Sequence, residues 1–137
     1  MRAFVDTSSL FKKYVEEDGS EQLSKLLNDV LEIAVSPLTW TEINSIFARR
    51  LRENLLSSQQ AAWLKSQAER DFSSFHRVHW NDALENKAVD LMNKCSILTL
   101  DAIQLASGIL SKADVFVTSD KKLFEEANKV IRETRFI

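Results

Sequence analysis

Glycine and proline, the residues that most often punctuate a chain, are scarce here: 137 residues include two Gly and one Pro. That scarcity argues against an all-β fold crowded with tight turns, a flexible linker or a disordered tail. The single cysteine, Cys95, has no intramolecular partner, so no disulfide framework exists and a reducing compartment is expected. No apolar run approaches the roughly 18 residues of a membrane span. Arg2 is followed by only three apolar residues before Asp6, which is short of the apolar region of a secretion signal. The expectation is a soluble, cytoplasmic protein with no membrane association. An excess of positive charge is also missing. The formal net charge is −2 and the pI about 5.7, which excludes a globally basic nucleic-acid surface and leaves phosphate contacts to local patches or a bound cation.

What is present is a 45% hydrophobic chain of a length that suits one domain, residues 1–137, with a core of its own. Ala3-Phe4-Val5 reads as a buried strand, followed by a helix with Leu10, Phe11, Tyr14 and Val15 on its apolar side. After Asp18-Gly19-Ser20, the positions Leu23, Leu26, Leu27, Val30 and Leu31 recur at helical spacing, and Ile33-Ala34-Val35 follows as a strand. Ser36-Pro37 opens a helix carrying Ile43, Ile46, Phe47 and Leu51; a second helix, capped by Ser57 or Ser58, runs to about Phe75 and pairs with it as a hairpin. Phe75 to Trp80 alternates like a strand, and Ala83 to Met92 is helical. A short apolar step at Ile97-Leu98 precedes a helix beginning near Asp101. Val115-Phe116-Val117 is the clearest strand; a helix with Leu123, Phe124, Ala127 and Val130 and an edge strand at Thr134 to Ile137 complete the pattern. Alternating strands and helices of this length predict an α/β fold with a parallel sheet covered on both faces.

Asp6, Glu42, Asp101 and Asp120 each stand where a short apolar run gives way to a helical pattern, and in such a fold those junctions share one edge of the sheet. Taken singly, each acid has an ordinary role. Asp6 and Asp120 would N-cap the helices after them, Thr39-Trp40-Thr41-Glu42 spells a capping box, and Asp101 with Gln104 has the spacing of another. Gathered together they are costlier, because like charges at short range raise one another's pKa. A divalent cation removes the conflict, and oxygen ligands of this kind suit Mg²⁺ or Mn²⁺.

Lys12 and Lys13, Arg49, Arg50 and Arg52, and Lys121 and Lys122 lie close in sequence to the acids and are the candidate phosphate contacts, although any one such charge is more often a solvated face. Trp40, Trp63 and Trp80 read as core or interface residues before they read as base-stacking platforms. His76 and His79 read as structural, not as zinc ligands.

Four words, in this order, carry a family resemblance: Val5-Asp6-Thr7-Ser8; Glu42 opening a helix that continues to Arg49-Arg50; Leu100-Asp101-Ala102 with Leu105-Ala106; and Thr118, Asp120 and Leu123. Over essentially its whole length the chain resembles PIN-domain ribonucleases, most closely the VapC-type toxins of toxin–antitoxin modules. The resemblance implies a single PIN domain, an α/β fold with a Rossmann-like parallel sheet of about five short strands sandwiched by helices. It implies a Mg²⁺- or Mn²⁺-dependent endoribonuclease leaving 5′-phosphate and 3′-hydroxyl ends, a cognate antitoxin as partner, and a homodimer. Asp6 and Asp101 would be the principal metal ligands, with Glu42 and Asp120 holding a second ion or water-mediated contacts; Thr7 and Thr118 match supporting hydroxyls, and Ser119 is a further helper. Gln104 departs from the pattern, since the family often has His there, and no proton-transfer role is assigned to it.

Other readings fit less well. An aspartyl-nucleophile phosphatase wants a second Asp two residues after the first, where this chain has Ser8. A phosphotransfer receiver wants an acidic pair near the first strand, and a dinucleotide-binding domain a Gly-rich first turn. Within the family, a solitary RNA-processing nuclease and a catalytically silent interaction module are the alternatives, the latter opposed by four intact acids.

Overall fold

The side chains of β1 (Arg2–Val5) divide the interior in two. Ala3 and Val5 enter one apolar cluster with Val35, Val115 and Val117, while Phe4 enters the other with Ala34 and Phe116, as a strand's period of two requires. The structure, a computed structural model, describes all 137 residues. Around β1 lie β2 (Glu32–Val35), β3 (His76–Arg77), β4 (Val115–Thr118) and β5 (Thr134–Phe136), all paired in parallel in the order β3-β2-β1-β4-β5.

Parallel pairing obliges each connection to cross over the sheet. From β1 to β2 run α1 (Thr7–Leu10), a 3₁₀ turn at Phe11–Lys13 and α2 (Ser20–Asn28); from β2 to β3 run α3 (Thr39–Arg52) and α4 (Ser58–Phe72). From β3 to β4 run α5 (Asp82–Lys94) and α6 (Thr99–Leu110), and α7 (Lys121–Ala127) joins β4 to β5. Helices α1 to α4 pack on the Ala3 side of the sheet and α5 to α7 on the Phe4 side. The α/β sandwich and the five-stranded parallel sheet are therefore as the sequence predicts. Strand order reverses between β1 and β4, which makes the crevice beyond their C-terminal ends the place where such sheets bind ligands.

Some local expectations are shortened in the structure. The Phe75 to Trp80 strand contracts to His76–Arg77 at the sheet edge, where only β2 offers a partner. Helix α2 ends at Asn28, since the chain must turn to let the Leu31 N–H reach the Met1 carbonyl at 2.9 Å; Leu31 is left 90% exposed. The Ile97-Leu98 step lies in the loop from α5 to α6, with Ile97 buried, Leu98 exposed, and the helix already under way at Thr99, two residues before Asp101. Of the tryptophans, Trp40 packs edge-on against Phe72, whereas Trp63 and Trp80 are largely exposed. His76 and His79 are exposed as well.

One glycine fixes how closely α6 approaches the sheet. The rings of Phe4 and Phe116 stack at 5.2 Å with a 10° tilt, and a Cβ built on Gly108 would fall 2.5 Å from Phe116 Cδ2. Helix α6 rests on the stacked rings because residue 108 has no side chain.

Candidate functional site

Asp6 follows β1 directly, and its backbone N–H extends the ladder by donating to the Val117 carbonyl at 3.0 Å. Its carboxylate caps α1, accepting from the Ser9 N–H at 3.0 Å, and also accepts from Ser8 Oγ at 2.8 Å and Thr118 Oγ1 at 2.6 Å. These bonds favour the charged form, yet the side chain is only 3% exposed. Burial outweighs them and, with some help from Asp120, raises its pKa to about 6.

Asp120 mirrors Asp6 on β4. It caps α7 by accepting from the Leu123 N–H at 3.0 Å, and its own N–H donates to Thr118 Oγ1 at 3.0 Å. Hydroxyls tie the two strand ends together: the Ser119 N–H donates to Ser8 Oγ at 3.0 Å, and the Ser9 and Ser119 hydroxyls lie 2.9 Å apart. Thr118 and Ser119 thus hold the acids in register, while Ser8 and Ser9, which the sequence offers as capping hydroxyls and not as site residues, take part as well. Their signal is weak but real, because Ser two and three residues after a strand-end Asp is a local turn pattern.

Glu42 and Asp101 arrive differently, from the first turns of α3 and α6. The N-cap positions of these helices are Leu38 and Leu98, neither of which makes a side-chain cap. Both expected capping boxes are absent. The Thr39 hydroxyl instead lies 3.2 Å from Ser36 Oγ, and Glu42 Oε1 accepts from Thr7 Oγ1 at 2.8 Å and Gln104 Nε2 at 2.6 Å. Gln104 therefore reaches Glu42, not the N-terminus of its own helix. Its place three residues after Asp101 puts it on the same helix face, which is the signal that could have found it.

Asp6, Glu42, Asp101 and Asp120 line one open cleft of about 450 Å³, together with Thr7, Ser8, Ser45, Ile46, Leu100 and Gln104. The carboxyl of Asp101 is pushed above its usual range by burial first and then by the charges of Asp120 and Glu42; Lys122 alone opposes. No hydrogen bond contributes to that shift, so Asp101 is the least engaged of the four. With the side chains as they are turned, no three acids stand at ligand spacing. Asp120 commits Oδ1 to its cap and Glu42 commits Oε1 to Thr7 and Gln104, which leaves Asp120 Oδ2 and Glu42 Oε2 unengaged. An all-oxygen donor set with uncompensated negative charge fits a hard divalent cation.

The basic residues separate into two groups. Lys122 acts on Asp101, and Arg49 lies about two turns beyond Glu42 on the face of α3 that carries Ser45 and Ile46. Lys121 and Arg52 are exposed at the start of α7 and the end of α3. The remaining three are held away from the cleft by acids of their own: Lys13 pairs with Asp71 at 2.6 Å, and Lys12 and Arg50 pair with Glu17 at 3.8 and 3.6 Å. The cause is the 3₁₀ turn, which carries Lys12 and Lys13 around to a separate groove against α2. A larger groove, about 580 Å³, lies between Tyr14-Val15 and α4 and holds none of the four acids.

Comparison with known proteins agrees with this architecture. Solved structures with the same fold include FitAcB from Neisseria gonorrhoeae, 14% identical over 98% of this chain and 96% of that one, with a TM-score of 0.72. VapBC2 from Rickettsia felis, bound to a DNA fragment from its promoter, is 15% identical over 100% and 99% of the two chains at 0.71. Mycobacterium tuberculosis VapC20, a toxin that cleaves the sarcin–ricin loop, is 17% identical over 88% and 92% at 0.66. Identities this low establish likeness of fold. No curated protein matches the sequence significantly. A family model of the PIN domain, however, matches residues 3–130, and because that match takes in all four acids, the strands that end at the cleft and nearly the whole chain, the protein belongs to the PIN-domain family.

Proposed function

We propose that the protein is a metal-dependent endoribonuclease that hydrolyses RNA phosphodiester bonds as the toxin of a toxin–antitoxin pair. The observation that carries the reading is the cleft at the β1–β4 switch point, lined by four carboxylates from four different elements. Asp6 and Asp101 would be the principal ligands of Mg²⁺ or Mn²⁺, and Glu42 and Asp120 would hold a second ion or its waters. Bound there, the cation would lower the pKa of a water and neutralise charge on the scissile phosphate.

The chain's own residues prepare that chemistry. Thr118, Ser8 and the Ser9 N–H hold Asp6 in one orientation, and Thr7 and Gln104 hold Glu42. Lys122 beside Asp101, with Lys121 and Arg49 farther out, would draw the phosphate backbone toward an otherwise acidic cleft. Membership of the PIN family and the fold shared with VapBC and FitAcB proteins support an antitoxin as partner. Exposed Leu98 and Leu100 beside Asp101, and exposed Trp63 over the larger groove, offer apolar surface for that partner and for a second copy in a homodimer.

The deciding experiment is cleavage of structured RNA by purified protein with Mg²⁺ or Mn²⁺, beside an Asp101→Asn variant. Wild type should cleave, EDTA should stop it, and the variant should lose about a hundredfold or more in rate. Equal cleavage by both proteins, or cleavage indifferent to EDTA, would overturn the mechanism. The toxin role is tested separately by inducing expression and asking whether growth arrest requires Asp6.

A further inference from the structure

Gln104 is neither one of the four acids nor a proton-transfer group, and only its N–H side has been given a part, yet the whole side chain is built into the site. Its residue is 4% exposed and lines the cleft. Nε2 donates to Glu42 Oε1 at 2.6 Å and to Thr7 Oγ1 at 3.1 Å, and Thr7 Oγ1 donates to the same Glu42 oxygen at 2.8 Å. Three side chains from α1, α3 and α6 close a triangle around one carboxylate oxygen. Charge fixes which way the amide faces: turned over, its oxygen would confront the Glu42 carboxylate. With Nε2 committed, Oε1 is buried and accepts no hydrogen bond.

An unpaired buried carbonyl is destabilising, so its retention calls for a donor that arrives with whatever fills the cleft. A hydrated divalent cation brings such donors, because Mg²⁺ in particular keeps several of its waters when bound. We propose that Gln104 is a positioning residue of the ion site: its N–H holds Glu42 Oε1 and leaves Oε2 free, and its Oε1 accepts from a water on the bound cation. The proposal rests on the reading that the cleft binds Mg²⁺ or Mn²⁺. An amide suits the task because it does not titrate, so its hold on Glu42 is unchanged across the range in which an imidazole would gain a proton.

The test is Mn²⁺ titration followed by electron paramagnetic resonance of the free ion, on wild type, Gln104→Met, Gln104→His, Glu42→Ala and the Gln104→Met/Glu42→Ala double variant. Methionine keeps the length and loses both hydrogen-bonding functions. It should weaken Mn²⁺ binding about tenfold or more, as loss of a ligand's supporting partner does. Histidine restores an N–H toward Glu42 and, at pH 8, should keep affinity within about threefold of wild type. In the Glu42→Ala background the Met substitution should lose most of its effect, a non-additivity that a packing defect would not produce. Wild-type affinity in Gln104→Met, affinity in Gln104→His as weak as in Gln104→Met, or a Met effect undiminished without Glu42 would each overturn the proposal. Absence of Mn²⁺ binding by wild type would instead overturn the ion site itself, and this proposal with it.

Discussion

Asp6 and Asp120 stand at the ends of adjacent strands and each caps the helix that follows, whereas Glu42 and Asp101 stand in the first turns of helices whose N-cap positions are leucines. The strand-borne pair is fixed by backbone: the β1–β4 register, two N-cap bonds, and a set of hydroxyls from Ser8, Ser9, Thr118 and Ser119. The helix-borne pair is fixed by packing of α3 and α6 against the sheet, and only Glu42 gains hydrogen-bond partners at the cleft. One side of the site is set by strand pairing, caps and hydroxyl bonds, and the other by the packing of two helices. Asp101, which has no such partner, is accordingly the acid with most freedom to turn toward a ligand.

The largest effect expected from this contrast is on stability. Asp6 titrates near 6 in the folded protein and near 3.8 when exposed, so between those values the folded state holds a proton that the unfolded chain has released. Its contribution to stability is therefore greatest below about pH 4, falls as pH rises to about 6, and is flat above. The difference between those two values corresponds to something on the order of 3 kcal/mol. Denaturant unfolding in EDTA across this range should show the decline, and Asp6→Asn should remove most of it; an equal decline in that variant would place the buried charge elsewhere. Adding Mn²⁺ at neutral pH should raise the unfolding temperature of wild type.

A smaller effect is expected from Thr118→Val, which keeps the shape and removes the 2.6 Å bond to Asp6. A buried bond to a charged group is worth about 1.5–3 kcal/mol, so unfolding at pH 8 should shift by roughly 2 kcal/mol. Unchanged stability would show that the hydroxyl network does not hold the strand-borne pair. Smallest is Lys122→Ala. Lys122 restrains the upward shift of Asp101, so its loss should move the acid limb of the cleavage pH profile upward with little change in stability. A profile that stays in place would detach Lys122 from the helix-borne acid.

How much of this could be read in advance follows the same division. The strands at Ala3–Val5 and Val115–Val117, the acids that end them, and the capping roles of Asp6 and Asp120 are local patterns, and all were legible. The helix-borne side was not. Thr39 to Glu42 has the residues of a capping box, but Thr39 is buried beside Ser36 and Glu42 turns toward α1 and α6, a choice that only tertiary packing makes. Glu42, whose word spells a capping box, caps nothing. Asp101 follows a loop between two helices, and the apolar Ile97-Leu98 step before it cannot be told from a strand by composition. Lys12 and Lys13 look adjacent to Asp6 in sequence, yet the 3₁₀ turn carries them away from it.

The bare backbone of Gly108 has a mechanical consequence for the site two turns away along α6. A single added methyl would press on Phe116 from 2.5 Å, about 1 Å inside ordinary contact, and the helix would have to lift. The stacked rings then act as a fulcrum and α6 as a rigid beam, with Asp101 and Gln104 toward its far end. In a chain with so few glycines, this one works as a gauge: the missing side chain sets the height at which a carboxylate and an amide are presented to the cleft.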